Sequence, residues 1–430
     1  MLIWLYRVLV AGYLVVVTPY WVVQGLRNWS KKMPVFTRLG IFLLGKKKDC
    51  PVLWLHAASV GEAQSVSSLL SRLLKNNIHV VFTVQNIHTY NLLSKQYAKV
   101  SNVDLGFFPI DFWIFSRIAW QTIRPDLVIL VDSELWPEHL YQAKKRKAPV
   151  WLINQRHSER TYQRFERYPQ IFLGLYAGLS KVWCGSKKDY NQVMKLGIDE
   201  SKCYYHGNLK CMQKSKAVLT HVQKDALRAE IGFSIGSASI VLLAASSWPG
   251  EEEILLEVIS RLLNKGIDAK LIIVPRHPKR LQEFLPQIKK TGLSYEIRSQ
   301  AKGKVESNCI YIADTYGELE SFYQVSDVAF IGKSSMRQHG GQNPVEACAY
   351  GCAIVFGPNM QNFQDIANEL VQSEAAIQVS SNDEAILVLE KVAQQGYRRK
   401  NLVKNAKKWI ENMPDTALEI YKHIKAEILL

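Results

Sequence analysis

The chain has 430 residues, of which 48% are hydrophobic, and its 54 lysines and arginines exceed its 38 aspartates and glutamates to give a formal charge of +16. A chain of this length predicts two or three domains with an ample hydrophobic core. The seven cysteines are scattered without CxxC pairs, which excludes a disulfide framework and is typical of a reducing compartment. The positive charge favours an anionic partner: nucleic acid, a lipid surface or a phosphorylated substrate.

The first 26 residues predict a membrane anchor. The stretch from Val8 to Leu26 has no charged residue in 19 positions. That length is close to the roughly 20 residues that cross a hydrocarbon core. Tryptophan and tyrosine residues near both ends resemble the aromatic belts of membrane interfaces. We therefore expect residues 1–26 to form either a single-pass helix or a monotopic helix that lies in the interface, and a core helix of a soluble domain is the alternative.

Basic residues are concentrated after this stretch. Residues 27–50 contain Arg27, Lys31, Lys32, Arg38 and Lys46 to Lys48. Because positive residues mark the cytoplasmic side of a membrane helix, everything after residue 30 should be cytoplasmic. We expect this basic segment to lie against anionic lipid, where each basic residue close to the surface contributes up to about 1 kcal/mol.

From Pro51 onward, apolar runs of strand length alternate with segments of helical length. The first series reads VLWLHAAS, HVVFTVQ, VDLGFFP, DLVILVDSE, PVWLINQ and KVWCGS, and it stops near Cys203 to Lys216. The second series restarts at Ala238 and reads ASIVLLAAS, AKLIIVPR, LSYEIRS, CIYIADT, VAFIG, AIVFGP and AIQVS. Near-continuous apolar strands between helices predict parallel sheets that are covered on both faces.

The predicted fold class is α/β, with two Rossmann-like domains that face each other across a cleft and an N-terminal anchor helix. The predicted segments are an anchor at 1–26, a basic segment at 27–50, a first domain at 51–212, a linker at 213–237, a second domain at 238–396 and a helical tail at 397–430. In sheets of this type, ligands bind at the carboxyl ends of the strands.

The stretch from Val328 to Phe363 contains a loop rich in polar residues and glycine. A strand, a polar loop with glycines, a helix from Asn343-Pro344 to near Gly351 and a second strand form a βαβ unit. Its loop is expected at the carboxyl edge of the sheet, although a tight turn without a ligand is an alternative. Three other loops follow strands of this domain with groups that bind anions or hydroxyls: Ser246-Ser247, Pro275-Arg276-His277 and Asp314 to Leu319.

The turn after the first strand reads HAASVGE and contains Ser59 and Glu62. From the start of a helix, Glu62 can project into the cleft, where a carboxylate whose pKa is raised by partial burial suits a general base. A glutamate that merely complements the helix macrodipole is equally consistent with this spacing.

Three further signals follow in the first domain. In Asp132-Ser133-Glu134 two acids flank a serine as in metal-binding DxD patterns, but an orienting or hydrogen-bonding role for Glu134 is favoured, with helix capping as the alternative. Arg156 either holds an anionic acceptor or lies in solvent, and Lys210 falls at the hinge between the domains. No histidine belongs to an HExxH or Cys/His spacing, so no metal site is predicted.

These residues belong to an ordered set of motifs that spans nearly the whole chain. The set is SVGE (59–62), SELWP (133–137), NQRHSER (154–160), GNLK (207–210), GEEE (250–253), PRHP (275–278), GEL (317–319), GGQNPVE (340–346) and GPNMQNF (357–363). It resembles the 3-deoxy-D-manno-octulosonic acid (Kdo) transferases of lipopolysaccharide synthesis. The resemblance implies a glycosyltransferase-B fold, a CMP-Kdo donor, no metal or other cofactor, and a lipid A precursor (lipid IVA) as acceptor at the cytoplasmic face of the inner membrane.

The resemblance assigns the first domain to the acceptor. Glu62 matches the general base of the family, which removes the proton from the acceptor hydroxyl as it attacks the anomeric carbon and CMP departs. The other candidates on the acceptor side are Ser59, Glu134, Arg156 and Lys210.

The second domain is assigned in the same way to the nucleotide sugar. A guanidinium at Arg276 stabilises charge on the leaving phosphate, the helix start at Gly317 offers free N–H groups to an anion, and Glu346 suits ribose hydroxyls. The full candidate set is Pro275, Arg276, His277, Gly317, Glu318, Leu319, Asn343, Pro344, Val345 and Glu346, with Ser246 and Ser247 as phosphate contacts.

The sequence departs from the family pattern at three places. Ser246-Ser247-Trp248-Pro249 stands where a Ser-Thr-His-Glu run is more frequent, Lys333 where a glycine is usual, and Gln342 where a histidine is usual. These departures bear on the phosphate contacts and on the number of Kdo units added, including transfer onto Kdo already in place.

Two other classes share part of the pattern. A sugar-nucleotide 2-epimerase shares the fold and the C-terminal loops, but it needs neither an anchor nor a basic segment. A non-enzymatic binder of an anionic membrane surface or of nucleic acid would account for the charge, yet it leaves the paired motifs without a purpose. The motifs therefore favour the transferase, with CMP-Kdo, a lipid A precursor and the anionic inner membrane surface as partners and no nucleic acid.

Overall fold

The computed structural model describes residues 2–27, 35–42, 44, 50–209, 219–233, 239–301 and 309–428. The chain divides into two compact units. Residues 1–212 and 414–430 form the N-terminal unit, and residues 213–413 form the C-terminal unit. The tail predicted at 397–430 is therefore divided between the two units.

A seven-stranded parallel sheet forms the centre of the N-terminal unit, in the order β3-β2-β1-β4-β5-β6-β7. Its strands are β1 (Val52–Ala57), β2 (His79–Val84), β3 (Val103–Phe107), β4 (Leu127–Val131), β5 (Val150–Gln155), β6 (Lys181–Cys184) and β7 (Cys203–Tyr205). All six residues of β1, β2 and β5 are buried, as expected for a sheet covered on both faces. The first six strands confirm the apolar runs of the sequence. The seventh was not predicted, because this three-residue edge strand pairs only with β6 and has no apolar run.

The α-helices of residues 1–212 begin at a side-chain cap in four of the nine described cases. They are α1 (Leu2–Arg27), α2 (Val60–Ser65), α3 (Ser67–Leu74), α4 (Ile87–Gln96), α5 (Trp113–Ile123), α6 (Pro137–Arg146), α7 (Glu159–Arg167), α8 (Pro169–Tyr176) and α9 (Lys187–Lys195). Ser59, Asn86, Ser158 and Ser186 each accept a hydrogen bond from a backbone N–H of the first turn, which satisfies a donor that the helix leaves open.

The C-terminal unit repeats this architecture with the strand order β10-β11-β9-β8-β12-β13-β14, again all parallel. Its strands are β8 (Ile240–Ser247), β9 (Ala269–Pro275), β10 (Tyr295–Ile297), β11 (Ile310–Ile312), β12 (Val328–Ile331), β13 (Ala353–Phe356) and β14 (Ala376–Gln378). Its helices are α10 (His221–Glu230), α11 (Glu251–Asn264), α12 (Leu281–Lys290), α13 (Leu319–Val325), α14 (Val345–Tyr350), α15 (Gln364–Gln372), α16 (Asn382–Gln394) and α17 (Gly396–Glu411). All seven apolar runs predicted for this half are strands.

The last helix, α18 (Thr416–Ile428), returns to the N-terminal unit. Ala417, Ile420 and Ile424 are fully buried in the same apolar cluster as β1, β2 and α3. Burial of this apolar face holds the end of the chain against the N-terminal sheet.

Helix α1 is fastened to the N-terminal unit by polar contacts of its first two turns. Tyr6 donates to Asp111 at 2.6 Å, and Arg7 donates to both oxygens of the buried Glu138 at 2.8 and 3.0 Å. The apolar side chains of Trp4 and Val8 are each 67% exposed. Across the described residues, no helix combines the length and apolar character that a membrane crossing requires, so the predicted single-pass anchor is not supported.

Of the predicted basic segment, residues 28–34, 43 and 45–49 lie outside the described residues. Arg38 is described, and it differs from the expectation of a cation at a lipid surface. Its guanidinium donates to the backbone carbonyl of Gln85 and lies 4.8 Å from the ring centre of Phe107. Burial lowers the pKa of Arg38, and its hydrogen bond and ring contact tie it to the fold.

Candidate active site

In the N-terminal unit, polar side chains collect at the carboxyl ends of β1, β4 and β5. The chain order runs from β1 outward to β3 and then resumes with β4 on the other side of β1, so the strand order reverses between β1 and β4. Parallel α/β sheets bind ligands at such a reversal. The loops that leave β1 and β4 carry Glu62, Asp132 and Glu134.

Glu62 forms a capping arrangement with the start of α2. Its carboxylate accepts from the backbone N–H of Ala58 at 2.7 Å and from the Ser59 hydroxyl at 2.9 Å. The Ser59 hydroxyl in turn accepts from the backbone N–H of Glu62 at 3.3 Å. The helix-start role that the spacing allows is therefore present, and the predicted Ser59 is the cap itself.

The surroundings of Glu62 also favour its protonated form. The side chain is half-buried, and burial raises its pKa above the ordinary value, with the nearby negative charges of Asp132 and Glu134 adding to the effect. The hydrogen bonds from Ala58 and Ser59 oppose this rise without cancelling it. A carboxylate with a raised pKa suits proton acceptance near neutral pH.

Glu134 lies next to two ring nitrogens, of which that of Trp136 donates a hydrogen bond to it. Its Oε2 accepts from the indole N–H of Trp136 at 2.8 Å and lies 3.5 Å from Nε2 of His56. Nδ1 of His56 lies 2.9 Å from the carbonyl oxygen of Thr83, and because a carbonyl only accepts, Nδ1 carries the proton. Nε2 is buried and has no hydrogen-bond partner among the described residues.

Asp132 is linked to the end of the neighbouring strand. The side-chain amide of Asn154 donates to Asp132 at 2.6 Å, and the amide oxygen of Asn154 accepts from the backbone N–H of Leu209 at 3.0 Å. Both Asp132 and Asn154 have left-handed backbones, with φ of 61° and 55°. This chain of contacts fixes the carboxylate that acts electrostatically on Glu62.

The other predicted acceptor residues are placed differently. Arg156 follows β5 and lies beside Gly185, where an added Cβ would be 3.0 Å from Cγ of Arg156. Its positive charge acts on Asp189 and opposes the rise in the pKa of that carboxyl. Lys210 lies outside the described residues. Sequence reasoning missed His56, whose only signal was its position at the end of a buried strand next to the SVGE turn.

In the C-terminal unit the strand order reverses between β8 and β12. Ser246 at the end of β8 is buried and has a φ of 55°. The hydroxyl of Ser247 donates to the carboxylate of Glu252 at 2.8 Å. The only hydroxyl proton of Ser247 is therefore engaged within the unit, although its oxygen can still accept.

The segment after β9 places Arg276 and His277 at the same edge, directly after Pro275, the last residue of the strand. Both side chains are exposed, and the backbone N–H of Arg276 donates to the carbonyl of Ser247 at 3.1 Å. The His277 ring lies edge-on to Trp248 with 5.4 Å between ring centres. A guanidinium and an imidazole are thus available here to an anionic ligand.

Glu251, the first residue of α11, was not predicted as a site residue. Its fully buried carboxylate accepts from four backbone N–H groups, those of Trp248, Lys333, Ser334 and Ser335, at 2.8 to 3.1 Å. Burial raises the pKa of Glu251, and the four N–H groups oppose the rise. Glu251 therefore ties the loop after β8 to the loop after β12. The GEEE motif was its signal, but the sequence did not show that Glu251 and Glu252 are buried while Glu253 is exposed.

The predicted anion site at Gly317 to Leu319 contains a carboxylate of its own. Gly317 has a φ of 88°, Glu318 precedes α13, and Leu319 begins that seven-residue helix. Glu318 accepts from Arg298 at 2.8 Å and from the hydroxyl of Thr315. The carboxylate of Glu318 thus lies between the start of α13 and the guanidinium of Arg298.

The segment from Asn343 to Glu346 begins α14 at Val345, one residue later than the sequence predicted. The side chain of Asn343 accepts from the backbone N–H of Val345 at 3.0 Å, while Pro344 directly precedes the helix. Burial and the charge of Glu320 raise the pKa of Glu346, and Asn343 and Arg276 oppose that rise. The positive charge of Arg276, in the segment after β9, therefore acts on Glu346. No cluster of metal-ligating side chains occurs among the described residues.

The fold and its strand-order reversals define a class. A glycosyltransferase from Rickettsia africae is similar in structure, with a TM-score of 0.60, 14% identity and coverage of 88% of this chain and 99% of that one. A UDP-GlcNAc 2-epimerase from Neisseria meningitidis bound to UDP-GlcNAc gives a TM-score of 0.59, 14% identity and coverage of 87% and 100%. These likenesses concern the fold alone. The chain has the two parallel-sheet α/β units of the glycosyltransferase-B-like class, and a family model described as glycosyl transferases group 1 matches residues 251–409.

Sequence similarity narrows the class to a family. A model described as 3-deoxy-D-manno-octulosonic-acid transferase matches residues 28–213. A 3-deoxy-D-manno-octulosonic acid transferase of Rickettsia bellii is 31% identical over 376 residues, which cover 86% of this chain and 87% of that protein. The chain belongs to the Kdo transferase family, as the ordered motifs of its sequence suggested.

Proposed function

We propose that the protein transfers Kdo from CMP-Kdo to a lipid A precursor, lipid IVA. In the transfer, Glu62 accepts the proton of the acceptor hydroxyl as that oxygen bonds to the anomeric carbon. The bond from this carbon to the phosphate oxygen breaks, and CMP leaves with the electron pair. The observation that carries the proposal is the half-buried Glu62, whose pKa is raised at the reversal of the N-terminal sheet.

The donor is proposed to bind at the carboxyl edge of the C-terminal sheet. Arg276 offers a bidentate guanidinium to the phosphate, and Glu346 offers acceptors to ribose hydroxyls. The charge of Arg276 acts on the carboxyl of Glu346, which supports a common ligand. Because cationic side chains can neutralise the departing phosphate, we expect transfer to need no metal and no other cofactor. Transfer that stops in excess EDTA and returns with magnesium would contradict this and direct attention to Asp132 and Glu134 as ligands.

Membrane association is proposed to be monotopic. The exposed apolar side chains of α1 include Trp4, Leu5, Val8, Leu9 and Tyr13. The apolar side chains of such a helix can enter the interface while Tyr6 and Arg7 hold it against the protein. With the basic segment 27–50 against anionic lipid, both units would act at the cytoplasmic face of the inner membrane, with no nucleic acid as partner.

The direct test is incubation of the purified protein with CMP-Kdo and lipid IVA, followed by mass spectrometry of the lipid. We expect a mass increase of one Kdo unit, and further equal increases if Kdo already in place is also an acceptor. A parallel incubation with UDP-GlcNAc tests the 2-epimerase alternative. Epimerised UDP-GlcNAc together with unchanged lipid would overturn the proposed transfer.

A further inference from the structure

Lys333 has an unusual backbone for a long charged residue. It lies two residues after β12, at the reversal between β8 and β12, and its φ is 58°. The left-handed region is unfavourable for residues that carry a Cβ, and glycine, asparagine and aspartate are the residues that adopt it most readily. A lysine in this conformation persists only where its surroundings determine it, and such positions concentrate at ligand sites.

The loop around Lys333 is held on two sides. The buried carboxylate of Glu251 accepts from the backbone N–H groups of Lys333, Ser334 and Ser335 at 2.9, 2.9 and 3.1 Å. The preceding Gly332 packs so closely that an added Cβ would be 2.1 Å from the carbonyl oxygen of Ser246. The loop backbone is therefore fixed before any ligand arrives.

The side chain of Lys333 lies on an aromatic ring at the same edge. Its Nζ is 4.7 Å from the ring centre of Trp248, and Trp248 contacts the ring of His277. These three residues come from the loops after β12, β8 and β9. Among the described residues, no carboxylate lies within ion-pair distance of Lys333.

We propose that Lys333 binds the phosphate of the donor nucleotide, with Trp248 orienting its ammonium group. This inference rests on the proposed CMP-Kdo donor. An ammonium ion attracts phosphate as a point charge and can donate three hydrogen bonds. The ring of Trp248 holds the cation by its quadrupole without neutralising it, so the full charge is available to an anion. Ser247, whose hydroxyl proton goes to Glu252, cannot donate in its place.

The test is the variant Lys333→Gly, with CMP and cytidine as calorimetric probes. Glycine suits a φ of 58°, so the variant should fold with an unchanged or higher melting temperature. CMP affinity should fall about 10-fold to 100-fold, as for the loss of a hydrogen bond to a charged group. Cytidine, which has no phosphate, should bind as to the wild type. Lys333→Arg should retain most of the CMP affinity.

Lys290→Ala is the matched control, because it removes one exposed charge at the far end of α12. It should leave CMP affinity unchanged. Wild-type CMP affinity in Lys333→Gly would overturn the role of Lys333 and leave the proposed donor intact. Equal losses for CMP and cytidine would also overturn it, since the side chain would then act without the phosphate. A wild-type protein that binds no CMP would overturn the donor and this inference together.

Discussion

The two sheet reversals each contain a carboxylate, half-buried in one unit and fully buried in the other, and the two carboxylates have different roles. At the N-terminal reversal, Glu62 receives one backbone N–H and one hydroxyl and faces the charges of Asp132 and Glu134. At the C-terminal reversal, Glu251 receives four backbone N–H groups. The first carboxylate is poorly neutralised and can take a proton, whereas the second is saturated and holds loops. Both carboxylates lie at the start of the helix that follows the first strand of their unit. At that position a glutamate can accept a proton when acids surround it, or hold loops together when backbone N–H groups surround it.

Backbone strain separates the two regions as well. Half of the eight left-handed residues other than glycine in the described chain lie at these two edges. They are Asp132 and Asn154 in the N-terminal unit and Ser246 and Lys333 in the C-terminal unit. Aspartate and asparagine tolerate this conformation, but serine and lysine tolerate it less well. The C-terminal edge therefore depends more on surrounding contacts, which include the four hydrogen bonds that Glu251 accepts.

Removal of Glu251 tests whether its carboxylate holds the loops of the C-terminal unit together. Glu251→Ala leaves four backbone N–H groups without their acceptor, and each buried unsatisfied donor costs about 1–3 kcal/mol before water or movement compensates. We expect the free energy of unfolding, measured in urea, to fall by at least about 3 kcal/mol. The control is Glu253→Ala, which removes an exposed acid of the same helix and should change stability by about 0.5 kcal/mol or less. Equal losses of unfolding free energy in the two variants would show that the four hydrogen bonds of Glu251 do not stabilise the protein.

Loss of the donor guanidinium should affect binding more than stability. In Arg276→Ala, CMP binding should weaken by about 1.5–3 kcal/mol, the range for hydrogen bonds to charged groups. Because Arg276 is exposed, its removal should leave the melting temperature nearly unchanged. Calorimetry with CMP measures the first quantity and thermal melting the second. A folded variant with wild-type CMP affinity would remove Arg276 from the donor site.

A smaller and directional effect is expected when one like charge beside Glu62 is removed. Asp132→Asn keeps the shape and tolerates the left-handed backbone, but it deletes a charge that raises the pKa of Glu62. A general base works only when ionised, so the rate falls as pH falls through its pKa. The pKa of Glu62 should drop in the variant, and the acid limb of the transfer rate should move to lower pH. An acid limb that stays in place would mean that another group controls it.

The sequence predicted the sheets because their apolar runs encode burial on both faces. It also located the loops, since the carboxyl ends of parallel strands follow from strand order. It did not show that Glu251, not Glu253, faces inward, because that depends on a loop more than 80 residues later in the chain. The contact between His56 and Glu134 was equally hidden, as it joins the end of one strand to the loop after another.

The membrane anchor predicted for residues 1–26 depended mainly on hydropathy. Hydropathy measures average apolar character, but it cannot register that Arg7 has a buried partner 131 residues away. The polar contacts of Tyr6 and Arg7 with Asp111 and Glu138 come from tertiary structure alone. Short-range patterns such as Ser59 and Glu62 were readable, yet they fitted capping and catalysis equally well.

The proposed mechanism requires Glu62 to accept a proton, and single-turnover transfer by Glu62→Gln tests this role most directly. With CMP-Kdo and lipid IVA at saturating levels, the rate should fall about 10² to 10⁴-fold while CMP affinity stays at the wild-type value. The same change at the exposed Glu166 should alter neither quantity. If Glu62 only supports the helix start, the variant should lose about 0.3–1 kcal/mol of stability and transfer Kdo at the normal rate. A fully active Glu62→Gln would contradict the account.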